Sequence, residues 1–164
     1  MEVLSYKIAF MEKDAFDATD LRILRLLQED ATLSIAEIGE RVGLSQTPCW
    51  KRLKRLEDSG VIRKRVAILD RDLLGVGFTA FVTVRTSRHD PDWLAAFARG
   101  VSALPEVVEF WRLSGDADYL LKVLVRDLAA YDLFYKRLIA VAPLADVSSS
   151  FAMEEIKWTT AAPL

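Results

Sequence analysis

The residues best suited to chemistry lie in one short run, Ser45-Gln46-Thr47-Pro48-Cys49-Trp50-Lys51-Arg52-Leu53-Lys54-Arg55-Leu56. At 100° per residue, a helix through it brings Cys49, Leu53 and Leu56 within about 60° of one another as an apolar stripe. Thr47, Lys51, Lys54 and Arg55 then fall on the opposite face. One side packs and the other is polar and cationic, which is what a helix lying in a DNA major groove needs. Gln46 and Thr47 at its N-terminal end are best placed to reach base edges, and Ser45 before them is a further DNA-binding candidate. Lys51, Arg52, Lys54 and Arg55 suit phosphate, with Lys51 also within reach of bases. Trp50 sits at the border of the two faces, able to pack on a neighbouring helix or lie along the DNA backbone. An ordinary solvated amphipathic helix shows the same pattern, so its neighbours must decide.

Those neighbours carry helix-start signals. Asp17 is an N-cap with Asp20 three residues on, and Ile23, Leu24 and Leu27 follow as an apolar face. Ser34-Ile35-Ala36-Glu37 is a full capping box, flanked by Leu33 and Ile38 as a hydrophobic staple. Its helix should stop at Gly43, which tolerates the left-handed conformation of a helix end. Ser45 caps the next helix, with Pro48 in the first turn. Two capped helices separated by Gly43-Leu44 have helix-turn-helix spacing. Residues 61–69 are rich in β-branched side chains and read as a wing or joining strand.

Charge supports this division. The net charge is −2, yet residues 45–65 carry seven basic against two acidic side chains, and residues 70–164 carry ten against thirteen. A basic segment on an acidic chain suggests local attraction to a polyanion, here double-stranded DNA.

The second half changes rhythm after the polar, Gly-ended stretch Asp70 to Gly75. Phe78 to Arg85 alternates as a strand, with Phe78, Ala80, Val82 and Val84 on one face. Asp90-Pro91 opens a helix bearing Leu94, Phe97, Val101 and Leu104. Val107 to Leu113 and Tyr119 to Val125 read as strands around the turn Ser114 to Asp118. Leu128, Tyr131, Tyr135 and Leu138 mark a second helix, and Val147 to Trp158 a last strand. The fold class is therefore α+β: a winged helix-turn-helix domain followed by a ferredoxin-like β-α-β-β-α-β domain. The expected boundaries are an arm over 1–16, a DNA-binding domain over 17–69, a linker over 70–76 and a second domain over 77–164. Helices cover one face of the second domain's sheet, so the other face calls for another copy of the chain.

Other candidates are weaker. Cys49 lies on the buried stripe, which argues for packing over redox sensing. His89, the one histidine, precedes a helix start and reads as a loop residue rather than a metal ligand. An enzyme would need a nucleophile–base pair, a metal cluster or a Gly-rich phosphate cradle, and no spacing supplies one; no cofactor is implied. A single cysteine fits a reducing cytoplasm. No stretch reaches the roughly 20 apolar residues of a membrane span. Residues 1–10, with Glu2 and Lys7, make a poor signal peptide.

Residues 45–60, SQTPCWKRLKRLEDSG, together with FWRLSGDADYLLKV (110–123), YDLFYKRL (131–138) and SSSFAMEEIKWTTAAPL (148–164), resemble the Lrp/AsnC family of bacterial and archaeal regulators. The resemblance covers residues 17–160 and is strongest to the cysteine-responsive branch. It implies an amino-acid-controlled transcriptional regulator that dimerises through its C-terminal sheets and associates further into tetramers or octamers. It also implies an amino-acid effector, L-cysteine or another, bound between C-terminal domains in a cleft between dimers lined by the turn Gly115-Asp116-Ala117-Asp118-Tyr119. Backbone N–H groups of such a turn suit a carboxylate, and Asp116 or Asp118 an ammonium. Trp111, Arg112, Ser148, Ser149 and Ser150 are candidate further walls. A tight hairpin turn alone would also explain Gly115-Asp116. The competing reading of the whole is an architectural protein that coats DNA with little sequence preference.

Overall fold

The computed structural model describes residues 16–164, so most of the expected arm lies outside the described residues. The elements run α1 (Ala18–Glu29), α2 (Ile35–Val42), α3 (Gln46–Asp58), β1 (Phe78–Arg85), α4 (Pro91–Ser102), β2 (Val107–Arg112), β3 (Tyr119–Val125), α5 (Leu128–Val141) and β4 (Asp146–Phe151). They fall into two compact units, one ending at Ala67 but joined by Trp158–Leu164, the other Ile68–Lys157.

In the first unit α1 and α2 start where the capping chemistry places them. Asp17 accepts from the Asp20 amide at 2.9 Å, while the Asp20 carboxylate accepts from the Asp17 amide at 3.1 Å. Ser34 and Glu37 close the same reciprocal box on α2. Gly43 ends α2 at φ 75°, in the left-handed region that glycine enters without penalty. Gly39 is required by proximity: a Cβ there would stand 2.7 Å from the Leu44 carbonyl oxygen. That contact is what allows the chain to double back tightly between α2 and α3. Ile23, Leu24, Ile38, Val42, Cys49, Leu53 and Leu56 form one buried cluster. Burying such side chains contributes about 1.5–3 kcal/mol each, and this cluster fixes the three-helix arrangement.

Residues 63–69 are irregular and exposed, with no ladder partner among the described residues. The tail 158–164 makes its contacts with the first unit. The Gln28 side-chain amide explains why, acting as a backbone-like partner. Its Oε1 accepts from the Ala162 N–H at 2.5 Å and its Nε2 donates to the Ala162 carbonyl at 3.3 Å. Arg25 adds a bond to the Leu164 carbonyl at 3.2 Å.

The second unit is a four-stranded antiparallel sheet in the order β2-β3-β1-β4, the ferredoxin-like arrangement. Ala80, Val82, Val84, Leu121, Val123 and Val125 face α4 and α5, which contribute Trp93, Phe97, Val101, Tyr131, Phe134 and Leu138. Asp90 and Asp127 cap the two helices by accepting from Trp93 and Ala130 amides. The other sheet face carries Phe81 and Trp111, 40% and 53% exposed, around the buried Lys122.

The last strand is shorter than the apolar pattern suggests, ending at Phe151 rather than near Trp158. Ala152 makes the final rung to the Thr79 carbonyl. Glu155 is then drawn off toward Lys122 on β3, at 3.8 Å, and Arg71, at 3.7 Å.

Candidate nucleic-acid interface and effector turn

α3 presents the arrangement its sequence implies, with one change in how its cations are used. Cys49, Leu53 and Leu56 are buried, while Ser45, Gln46, Thr47, Trp50, Lys51, Lys54 and Arg55 are exposed. Ser45 has N-cap backbone geometry, but its hydroxyl makes no capping bond. The reason is local: the third helical position is Pro48, which has no N–H to donate. The Ser45 hydroxyl and the first helical N–H groups are thereby left for an outside acceptor, and a helix N-terminus favours an anion.

The two arginines do not stand free. Arg52 donates to Asp17 at 2.6 Å and to Asp20 at 2.9 Å, and Arg55 pairs with the same buried Asp20. The Asp20 side chain is 1% exposed, so it is an anchor at the heart of the unit. Hydrogen bonds to Asp17 and then Asp20 raise the Arg52 pKa. The Asp20 amide, followed by the Arg52 guanidinium, holds the Asp17 carboxyl below its ordinary value. Arg52 and Arg55 thus tie α3 to α1 through Asp17 and Asp20, ion pairs that the sequence pattern does not reveal. Lys54 shares its charge with Asp58 one turn on, at 2.6 Å. Such an exposed i,i+4 pair is worth only about 0.3–0.5 kcal/mol and yields readily to a phosphate. Lys51 has neither a hydrogen bond nor an ion pair among the described residues.

Trp50 is half exposed and borders an open hollow of about 270 Å³, shared with Ile35, Gln46 and Thr47. Ile35, the first residue of α2, escaped the sequence reading. Its only signal there was its place behind the Ser34 cap, on the side that meets the start of α3.

Cys49 is fully buried, and desolvation raises its thiol pKa, which disfavours the reactive thiolate. His89 is exposed just before the α4 cap, as a loop residue.

The second candidate site holds together less well. Gly115 adopts φ 140°, and Asp116 is exposed at the tip of the β2–β3 turn. The amides of residues 114–117 have no acceptor among the described residues, whereas the Leu113 and Asp118 amides are bonded to the Asp118 and Val84 carbonyls. Asp118 is tied down, its carboxylate accepting from the Thr86 amide at 2.8 Å. That bond braces the turn and leaves the second carboxylate oxygen of Asp118 open.

Tyr119 is 6% exposed between Phe97 and Phe110, a core residue rather than a wall. Ser149 faces the helices and bonds the Tyr131 hydroxyl, whereas Ser148 and Ser150 alternate to the other face. Trp111 and Arg112 lie on β2, at the sheet edge opposite β4. Three strand spacings, about 14 Å, separate them from the serines. One chain therefore does not gather these residues into a pocket.

Comparison with known families bears on both regions. Residues 16–63 match the winged helix-turn-helix DNA-binding profile, and residues 79–162 match the Lrp/AsnC ligand binding domain. The chain belongs to the Lrp/AsnC family. It is 51% identical to the DNA-binding transcriptional activator DecR of Escherichia coli K12 over 149 residues, 90% of this chain and 98% of that one. An AsnC family transcriptional regulator from Agrobacterium tumefaciens superposes with a TM-score of 0.88 at 55% identity, covering 90% and 97% of the two chains. A Neisseria meningitidis transcriptional regulator, solved in complex with L-Met, gives 0.86 at 40% identity, covering 90% and 96%. Lrp/AsnC proteins are transcriptional regulators and not enzymes, which closes the catalytic reading. The family also gives the turn its context, because Ser114 to Tyr119 lies inside the ligand-binding match. No described helix is long and apolar enough to cross a membrane.

Proposed function

We propose that this Lrp/AsnC chain is a sequence-specific regulator of transcription in amino-acid metabolism, reading DNA with the start of α3 and controlled by an amino acid bound at the β2–β3 turn. The observation that carries the reading is the state of α3. Its apolar side is buried, Arg52 and Arg55 brace it on Asp20, and Ser45, Gln46, Thr47 and Lys51 remain exposed together at its N-terminal end. Gln46 and Thr47 contact base edges, and Ser45, Lys51 and Lys54 meet phosphates.

The effector's carboxylate is held by the unpaired amides of residues 114–117 and its ammonium by Asp116, with Arg112 and Trp111 beside them on β2. L-cysteine is the first effector to test, on the resemblance to the cysteine-responsive branch, and the L-Met complex of the Neisseria relative supports an amino acid as the class. The Ser148 to Ser150 edge enters the site from another copy of the chain. Homodimers built on the sheet face that bears Phe81 and Trp111, assembling further to tetramers or octamers, would bring the two edges together. The regulator works in the cytoplasm, with DNA.

Binding to a duplex selected from a random pool, against a scrambled duplex, tests the DNA reading over a salt series. A regulator keeps a large specificity ratio as salt weakens both complexes; an architectural coat binds both alike. A thermal-shift screen of the twenty amino acids tests the effector, since a ligand of the native state raises apparent stability.

A further inference from the structure

The hollow at the start of α3 is lined by two apolar side chains, Ile35 and Trp50, and two polar ones, Gln46 and Thr47. Trp50 is half exposed there, while the rest of the outward face of α3 is polar or cationic. Leaving apolar surface in water costs about 25 cal/mol per Å², so something apolar is favoured against it. Among base edges in the major groove only one apolar substituent exists, the C5 methyl of thymine; every other group there is a hydrogen-bond donor or acceptor.

Resting on the assignment of α3 as the recognition helix, we propose that the Ile35–Trp50 hollow seats a thymine methyl and makes Trp50 a specificity-determining residue. The polar side completes the selection. The Gln46 amide can donate to N7 and accept from the N6 amino group of an adenine, the pairing an Asn or Gln side chain makes in this groove. Thr47 borders the same hollow and adds a methyl and a hydroxyl. A T·A pair therefore satisfies both sides at once, whereas a G·C pair offers no methyl to the apolar wall. Ile35 is carried by α2 and Trp50 by α3, so the Gly43 turn that sets these two helices also sets the width of the seat.

The test uses the full-length protein and a duplex selected from a random pool. Copies of that duplex carry deoxyuridine in place of one thymidine at a time, which deletes the methyl and leaves pairing unchanged. The wild-type chain should lose about fourfold in affinity at one thymine of each half-site, the effect of one buried methyl group. Trp50→Ala and Ile35→Ala, each checked for native melting, should bind thymidine and deoxyuridine forms equally. Two results would overturn the proposal: a wild type indifferent to deoxyuridine everywhere, or a Trp50→Ala variant that still discriminates. A chain that selects no duplex at all would remove the recognition-helix reading itself, and the methyl seat with it.

Discussion

The start of α3 and the β2–β3 turn are both exposed, polar and built on rigid elements, yet they differ in completeness. The first is finished within one chain. Its exposed side chains follow one another along a single helix, and its supporting ion pairs reach no farther than α1. The second offers unpaired amides and an acid, while its candidate walls sit at opposite edges of a sheet. On the proposed reading the recognition helix is a local device, whereas the effector cleft is assembled from more than one copy. The DNA-reading face should therefore tolerate changes in subunit contacts that abolish the amino-acid response.

The strongest way to break that contrast is to remove the anchor under α3. Asp20→Ala strips the partner from Arg52 and Arg55 and the reciprocal cap from α1. Removing one member of such a buried pair costs about 3 kcal/mol, and affinity for every duplex should fall with it. Denaturant unfolding of the first unit reads the loss; an unchanged midpoint would mean that the struts carry no weight.

In the second unit, Gly115→Ala forces a side chain onto a backbone at φ 140° with open space around it, so the cost is conformational, about 1–3 kcal/mol. Calorimetry should show a weakened amino-acid response with intact DNA binding. Asp116→Ala should abolish the response at little cost in stability. Asp118→Ala should act the other way, loosening the turn by losing the Thr86 bond. Equal effects of the two aspartates on both readouts would blur the distinction between site and brace.

Smaller effects separate reader from strut within α3. Lys51→Ala should leave stability within about 0.5 kcal/mol, as for an unpartnered surface residue. It should weaken all duplexes and lower the salt slope by about one, the signature of a lost phosphate contact. Arg52→Ala should do the reverse, reducing stability more than it changes the slope.

Smallest is the response to acid. Asp17, Asp30 and Glu37 in the first unit, and Asp90 in the second, are held below their ordinary values by hydrogen bonds to their carboxylates. A depressed carboxyl stabilises the fold above its unfolded value, about pH 4, and that contribution is lost as pH falls through the folded value. The first unit should thus lose more protection between pH 5 and pH 3. Hydrogen exchange resolved to each unit checks this, and equal losses would count against it.

Much of the fold was legible because its determinants are local. The Asp17 and Ser34 boxes, Gly43 and the Cys49-Leu53-Leu56 stripe are written within a few residues and need no distant partner. So are the Asp90-Pro91 helix start and the alternation of Phe78 to Val84. What stayed hidden depends on residues far apart in sequence. That Asp20 would hold Arg52 and Arg55 needs the crossing of α1 and α3. That Gln28 would bond Ala162 needs α1 and the chain's last residues, 134 positions apart, to meet. Tyr119 looks like a turn residue beside Asp118, but the register Val84↔Tyr119 points it into the core. The exposed stretch 63–69 has strand-forming residues and no strand to pair with among the described residues.

The central claim is that Gln46 and Thr47 read base pairs. Its most direct test is the specificity ratio, selected over scrambled duplex, of a Gln46→Ala, Thr47→Ala double variant at fixed salt. The ratio should collapse toward one while affinity for the scrambled duplex stays at the wild-type value. A ratio left intact, or an equal fall on both duplexes, would contradict the assignment of this helix as the reader of sequence.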